Sequence, residues 1–427
     1  MESNLKNTNL NSKKTAIKSN QNKKNSYYLK SIFVVILFII LIIIEITKNG
    51  GYIDEIIGVS SIVYLAFSRK KIERRDLITI MIICLIILFG IISNAVSNIT
   101  SSLFSIGIDI VAETKLIFAY FALKYFLSDK EKKETINMLL PLAKVFTISA
   151  FLLSIVSQFV NIGMTGSTRY GIREFKFIFN FSFQYVAVYM LVFGILVCNT
   201  KMRENVRLTY YAMAIISIVL ATKGPPIMFS IIFVGLSFYF RKHDRISPAI
   251  MLIGAAILAW AGWFQIETYL LNENAPRHIF FQYSFKTANK YFPFGSGFAT
   301  YGSDQAARNY SKLYYLYGFD ELNGMNPDNP AFLSDTFWPM AIGQFGWLGS
   351  IAYVIVYVRI FLTFKNNKYT NQRRAFIYAA YLQYMIHAIG SAILSSSAGL
   401  IGFMAIAIFT ISDDQTEKRK SRLKIHL

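Results

Sequence analysis

The chain is poor in charge: only 16% of its 427 residues are Asp, Glu, Lys or Arg, while 54% are hydrophobic. A soluble chain carries about 25% charged residues, so this shortage excludes a soluble enzyme and a disordered chain. Acidic residues are scarcer than basic ones, 24 against 44. The resulting net charge of +20 would suit a nucleic-acid binder, but the basic residues form short clusters between apolar blocks rather than a stripe, so no nucleic-acid partner is expected. Cysteine is nearly absent. Cys84 and Cys198 both lie in apolar runs, which excludes a disulfide framework and a zinc spacing. Histidine is limited to four residues. Asp320 and Glu321 lack an evenly spaced third ligand, so no metal and no cofactor are expected. A Walker sequence, a glycine-rich phosphate loop leading into a helix and a hydrolase elbow are all missing, which excludes direct use of ATP.

What the chain has instead is long apolar blocks. A bilayer core requires about 20 apolar residues per helix, and spans are expected near 29–47, 52–68, 77–93, 103–127, 138–160, 177–198, 208–222, 225–240, 248–265, 338–364, 375–395 and 397–411. The runs are too continuous for barrel strands, so the fold class is an all-α polytopic membrane protein of about twelve transmembrane helices. Residues 1–28, with Lys among Asn and Ser, read as a disordered basic tail, and 412–427 as a second basic tail. The first span is followed by Glu45-Ile46-Thr47-Lys48 rather than a small-residue cleavage site, so it is expected to stay as an anchor. Of the 44 basic residues, 31 fall on one set of sides. Those sides are therefore cytoplasmic, with both termini. No internal repeat of 20–50 residues is visible.

Residues 266–337 form the one large hydrophilic loop, expected on the extracytoplasmic side. It is rich in Tyr and Phe and punctuated by Gly and Pro, so it should be folded. From Arg277 to Lys286 it has the periodicity of an amphipathic helix, with residues 279, 280, 283 and 287 on one face. A turn cluster Pro293-Phe294-Gly295-Ser296-Gly297-Phe298 follows. Next comes a helical stretch with Arg308, Tyr310, Lys312, Tyr314, Tyr315 and Tyr317, and then Asp335-Thr336-Phe337-Trp338.

Cations on the extracytoplasmic side run against the usual bias. Arg169, Arg173 and Lys176 face one acid, Glu174, in a short loop, Lys223 precedes Gly224-Pro225-Pro226, and Arg277 and Arg308 stand in the large loop. Guanidinium forks match phosphate oxygens, so the pattern points to an anionic lipid headgroup, foremost a pyrophosphate. Simple binding of bilayer headgroups accounts for single residues equally well. Tyr301 and Tyr314, with Tyr291, Tyr310, Tyr315 and Tyr317, are suited to stacking on sugar rings, or to an interfacial aromatic belt. Asp109 and Glu113 share a helical face inside the fourth span, near Lys115, and ionisable groups inside a membrane are a reason to look for function. His387 reads as a core residue. Fixed cations aimed at a leaving pyrophosphate would be the largest catalytic factor, with Arg277 foremost. Asp335 is the first candidate base for an attacking hydroxyl and His278 the second, although Asp335 also suits a helix N-cap.

These residues resemble those of Wzy-type polysaccharide polymerases, in the broad superfamily that includes O-antigen ligases. The likeness covers the topology, with a large outer loop before the last three spans. It also covers Arg277 opening a helix, Phe294-Gly295-Ser296-Gly297-Phe298-Ala299-Thr300-Tyr301-Gly302-Ser303, Ser334-Asp335-Thr336-Phe337-Trp338-Pro339 and Gly343-Gln344-Phe345-Gly346-Trp347-Leu348-Gly349. Arg169-Tyr170-Gly171 resembles the family's first arginine motif, and Thr222-Lys223-Gly224 its Ser-Arg motif with Lys in place of Arg. Asp335 stands where ligases carry His, which favours a polymerase. The resemblance implies a GT-C-like glycosyltransferase of the bacterial cytoplasmic membrane that joins oligosaccharide repeat units linked to undecaprenyl pyrophosphate. Inversion at the anomeric carbon is the usual outcome, and a chain-length regulator protein is a further partner. The rival functions are a ligase to another acceptor and a flippase of lipid-linked glycans. A flippase would carry its cations at the bilayer midplane.

Overall fold

The computed structural model describes residues 28–47, 51–100, 102–169, 171–199, 202–243, 247, 275–365 and 369–411. The expected span at 248–265, residues 266–274 of the loop, Tyr170 and the two tails up to residue 27 and from 412 fall outside them. The described chain is helical apart from one hairpin. Its helices are α1 Tyr28–Thr47, α2 Ile53–Phe67, α3 Arg74–Ser97, α4 Leu103–Phe126, α5 Asp129–Phe159, α6 Ser182–Cys198, α7 Glu204–Val219 and α8 Gly224–Lys242, then α9 Pro276–Lys290, α10 Asp304–Arg308, α11 Lys312–Leu316, α12 Phe337–Thr363, α13 Asn371–His387 and α14 Ser397–Phe409. Strands β1 Thr165–Arg169 and β2 Ile172–Phe175 pair antiparallel, with Arg169 opposite Ile172.

The sequence marks where the helices begin. Ser102, Ser128, Thr370 and Ser396 each accept a backbone N–H of the first turn, and Ser128 with Glu131 completes a capping box. Five helices, α1, α3, α5, α8 and α12, are long and apolar enough to cross a membrane. Several of them leave an apolar face uncovered: Ile36, Ile40 and Ile43 on α1, Leu85, Leu88 and Ile92 on α3, Leu142, Val145 and Leu152 on α5. Water does not tolerate apolar faces of that extent, whereas a lipid phase does. The helices therefore suggest a multi-pass membrane protein. By contrast α6 and α14 are buried on nearly every side. They form the centre of the bundle, as a helix apolar all round must. The centrally packed helix α4 carries its charges inside: Lys115 donates to Asp54 at 2.5 Å and Glu55 at 2.8 Å, tying α4 to α2. Lys115 thus serves as the shared cation of two acids of another helix.

Tertiary contacts define two ends. At the basic end Lys70 bonds the carbonyls of Tyr125 and Phe126, Ser31 that of Glu131, Arg359 that of Arg75 and Arg373 that of Ile411. The opposite end carries the hairpin and residues 275–336. That segment has its own apolar core around Phe280, Tyr301, Tyr314, Phe319 and Met325. Its turn cluster dips between α3 and α12. Phe294 stacks on Phe89, whose position lies about 12 Å below the end of α3 at a rise of 1.5 Å per residue. There α12 is broken at Gly346 (φ 62°), and Ser296 and Gly297 donate to the carbonyls of Gly343 and Gln344 at 3.0 and 2.8 Å. Asp109 accepts from the Ala299 amide at 2.5 Å and from Gln344 Nε2 at 3.0 Å. Backbone polar groups at that depth must find partners within the protein, and Asp109, Asn94 and the broken turn of α12 supply them.

Candidate functional site

Proline at the first position of α9 leaves Arg277 on its first turn. Asp335 stands two residues before α12. The two meet: Arg277 Nε is 2.8 Å and Nη2 2.7 Å from the same oxygen, Asp335 Oδ2. Each side chain is three-quarters or more buried. Asp335 is not the N-cap of α12; that position is Thr336, which makes no side-chain cap. The other oxygen, Asp335 Oδ1, is buried without a hydrogen-bond partner. Burial pushes the Asp335 carboxyl above the usual carboxylate range even though the Arg277 charge pulls it down.

The hairpin brings a second pair. Phe175 donates to the carbonyl of Leu220, which docks β2 on the end of α7. Lys223 Nζ then lies 3.1 Å from Glu174 Oε1. Glu174 also accepts from Ser167 and Ser182. Burial raises the Glu174 carboxyl, but the Ser182, Lys223 and Ser167 contacts outweigh it and hold the group below its ordinary value.

These pairs share a neighbour. His387 ends α13, packs edge-on against Phe183 and feels the charges of both Lys223 and Arg277. The start of α12 is pinned to the same turn, because Phe337 donates to the Ser391 carbonyl at 3.3 Å. Two cations 54 positions apart in sequence thus act electrostatically on one imidazole. His278, one residue after Arg277, is half-buried on the first turn of α9.

The remaining expected site residues lie elsewhere. Arg173 is turned inward: its backbone pairs with Gln158 and its Nη1 donates to the Ser157 carbonyl at 3.3 Å, closing the end of α5. Arg169 is exposed at the hairpin tip. Arg308 pairs with Asp304 at 2.6 Å along one exposed helix face. Tyr301 and Tyr314 are fully buried in the loop core. Tyr301 stacks on Phe280 and donates to the Phe280 carbonyl at 2.5 Å, and the Tyr314 hydroxyl accepts the Gly302 amide at 2.9 Å. Neither presents a ring face to a ligand. Burial raises both phenols, leaving them as neutral donors or acceptors.

A cavity of about 410 Å³ runs between α2, α4, Ser303–Arg308, Ser334 and Ser395–Ser397, and reaches the Arg277–Asp335 pair only through Ser334, the chain neighbour of Asp335. Among the described residues no three His, Cys, Asp or Glu side chains gather closely enough to hold a metal ion. Sequence reading did not single out Glu174 or His387 as site residues. Glu174 was visible only as the lone acid of a cationic loop, and His387 carries no local signal. No protein-family model and no curated protein matches the chain.

Proposed function

We propose that the protein is a polymerase of lipid-linked oligosaccharide repeat units, acting at the extracytoplasmic end of its bundle. The observation that carries this reading is the Arg277–Asp335 pair, joined across 58 positions of sequence and adjoining the cavity through Ser334, with Lys223 as a second loop cation held by Glu174. The reading takes α1–α8 and α12–α14 as eleven crossings of a GT-C-like protein, with the twelfth expected from the sequence at 248–265, outside the described residues, and both termini cytoplasmic.

In the reaction, a hydroxyl oxygen of the acceptor sugar bonds to the anomeric carbon of the donor. The bond from that carbon to the pyrophosphate oxygen breaks, and its electron pair leaves with undecaprenyl pyrophosphate. Negative charge grows on the leaving oxygens, where a fixed guanidinium is most effective. Arg277 offers a planar fork and Lys223 a point charge. A pyrophosphate that takes the Arg277 fork releases Asp335 from its counter-ion. The freed carboxylate, already desolvated and with Oδ1 unengaged, then binds a proton more tightly and accepts it from the attacking hydroxyl. The Arg277–Asp335 pair therefore couples donor binding to the appearance of a base. The arrangement needs no nucleotide, because the pyrophosphate linkage is itself the activated bond.

The test is incubation of the purified protein in nanodiscs with lipid-linked repeat units extracted from the source cells. A ladder of oligomers without added nucleotide is expected. Transfer of a single block to a different acceptor would mean a ligase, and movement across the bilayer with no new bond a flippase.

A further inference from the structure

The cavity that reaches Ser334 is walled by acids: Glu45, Asp54, Glu55, Asp109, Glu113 and Asp304. Most have partners. Asp54 and Glu55 hold Lys115, Asp304 holds Arg308, Glu45 accepts from Ser397, and Asp109 Oδ2 serves Ala299 and Gln344. Glu113 does not. It is 2% exposed, its Oε2 is buried without a partner, and it makes no hydrogen bond or ion pair among the described residues. One turn away, Asp109 Oδ1 is unpartnered as well. A polar atom buried without a partner costs about 1–3 kcal/mol, so Glu113 Oε2 and Asp109 Oδ1, on one face of α4, leave hydrogen-bonding capacity that a ligand can take up.

The chemistry of that ligand follows by elimination. The acids repel an anion. They are too dispersed for a metal ion. The volume of about 410 Å³ falls in the range of about 300–1,000 Å³ that holds small organic ligands. The rest of the wall offers Ser303, Ser334, Ser395, Ser396 and Ser397 hydroxyls and the Gln184 and Gln305 carboxamides, a lining of neutral hydrogen-bonding groups around two unpartnered carboxyl oxygens. We infer that this cavity binds the sugar hydroxyls of the incoming acceptor, with Glu113 and Asp109 Oδ1 accepting hydrogen bonds from them. Ser334 joins the cavity to Asp335, its chain neighbour, so a sugar seated there lies next to the Arg277–Asp335 pair. The inference rests on the polymerase reading and adds to it where the acceptor binds and which residues select it. Glu113 acts here as a binding residue; proton transfer stays with Asp335.

The experiment uses full-length protein with Cys84 and Cys198 replaced by Ala and a single reporter thiol, Ser334→Cys or Ser395→Cys, in nanodiscs. Labelling by a polar maleimide is followed by mass spectrometry. The probes are the oligosaccharide released by mild acid from the lipid-linked repeat unit and, separately, undecaprenyl pyrophosphate. The oligosaccharide is expected to block labelling at both positions. Glu113→Gln, which keeps the shape and replaces one carboxyl oxygen by an amide nitrogen that can only donate, is expected to raise the half-protecting concentration about tenfold. Ala112→Leu, which fills the wall without altering charge, is expected to abolish protection and serves if the Gln variant does not fold. Labelling that the oligosaccharide never blocks, or that Glu113→Gln leaves equally protected, overturns the sugar site. Protection without any ladder of products keeps the sugar site and removes the polymerase reading, so the two ideas fail separately.

Discussion

Lys223 and Glu174 stand 3.1 Å apart, so the acid of one loop holds the cation of another. The pair, together with the Phe175–Leu220 backbone bond, fixes the hairpin against the α7–α8 turn. Because the fold holds Glu174 below its ordinary value, the stability it contributes is fully present above the ordinary carboxylate range. It is lost as pH falls through the lowered folded value. Glu174→Gln should therefore lower the thermal midpoint in detergent at neutral pH, and the gap to wild type should narrow as the solution is acidified. A gap that is constant or widens with acid would show that the Glu174 charge does not hold the hairpin.

Arg277 and Asp335 should part in their kinetic signatures. Loss of a preorganised charge aimed at a leaving group costs about 100- to 1,000-fold in rate, so Arg277→Ala should stop elongation while insertion and yield stay normal. Arg277→Lys should recover little, because an ammonium cannot make the fork. Normal-length polymer from Arg277→Ala would assign Arg277 to ordinary lipid headgroups.

On the polymerase reading, the raised Asp335 carboxyl would set the acid limb of the reaction. Activity that needs its ionised form declines as pH falls through a value above the ordinary carboxylate range. In the substrate complex, with Arg277 turned to the pyrophosphate, the limb for kcat should lie at higher pH than the limb for kcat/KM. Asp335→Asn should remove the limb and most of the rate. A rate profile flat with pH in the wild type would exclude Asp335 as the proton acceptor.

The spans were legible where apolar runs are long and uninterrupted: the expected 29–47 and 338–364 became Tyr28–Thr47 and Phe337–Thr363. The motif segments 294–303 and 343–349 were legible as units, and the fold explains their glycines by packing one segment onto the other. The hairpin was not expected, because Thr165–Phe175 is short and its strand alternation is masked by a cationic composition. The roles of single loop residues were least legible. Arg173 and Arg169 are chemically alike in sequence, yet one closes a helix end and the other is exposed. Tyrosine in a folded loop suits a sugar platform, an interfacial belt or a private core, and only the packing around Phe280 decides among them. Asp335 and Arg277 are 58 positions apart, a separation across which one sequence carries no pairing signal.

The contact between Gly295 and Gly346 is the seam between loop and bundle, and it predicts a stability effect separable from chemistry. Both have positive φ, 79° and 62°. A Cβ on Gly346 would come within 2.6 Å of the Gly295 nitrogen and the Pro293 carbonyl oxygen, both backbone atoms that cannot turn aside. Gly346→Ala should therefore cost at least about 1–3 kcal/mol in backbone strain, with overpacking added. It should also expose the 275–336 segment to protease. Unchanged protease resistance in that variant would mean the turn is not seated on α12.

Tyr301→Phe and Tyr314→Phe test whether the loop aromatics serve structure or substrate. Each removes one hydroxyl whose partner is buried backbone, the Phe280 carbonyl or the Gly302 amide. Tyr314→Phe leaves the Gly302 amide unsatisfied, at about 1–3 kcal/mol, while Tyr301→Phe takes a second donor from a Phe280 carbonyl that stays in the α9 ladder, at about 0.5–1.5 kcal/mol, so both variants should show a lowered thermal midpoint, Tyr314→Phe the more. The rings themselves remain packed against Phe280 and Phe319, and no ring face is withdrawn from a ligand. Elongation per folded molecule should thus stay within about twofold of wild type, the scatter expected of a change that leaves transition-state contacts intact. A tenfold rise in KM with no change in the midpoint would place these hydroxyls on the sugar and require the loop core to open during turnover.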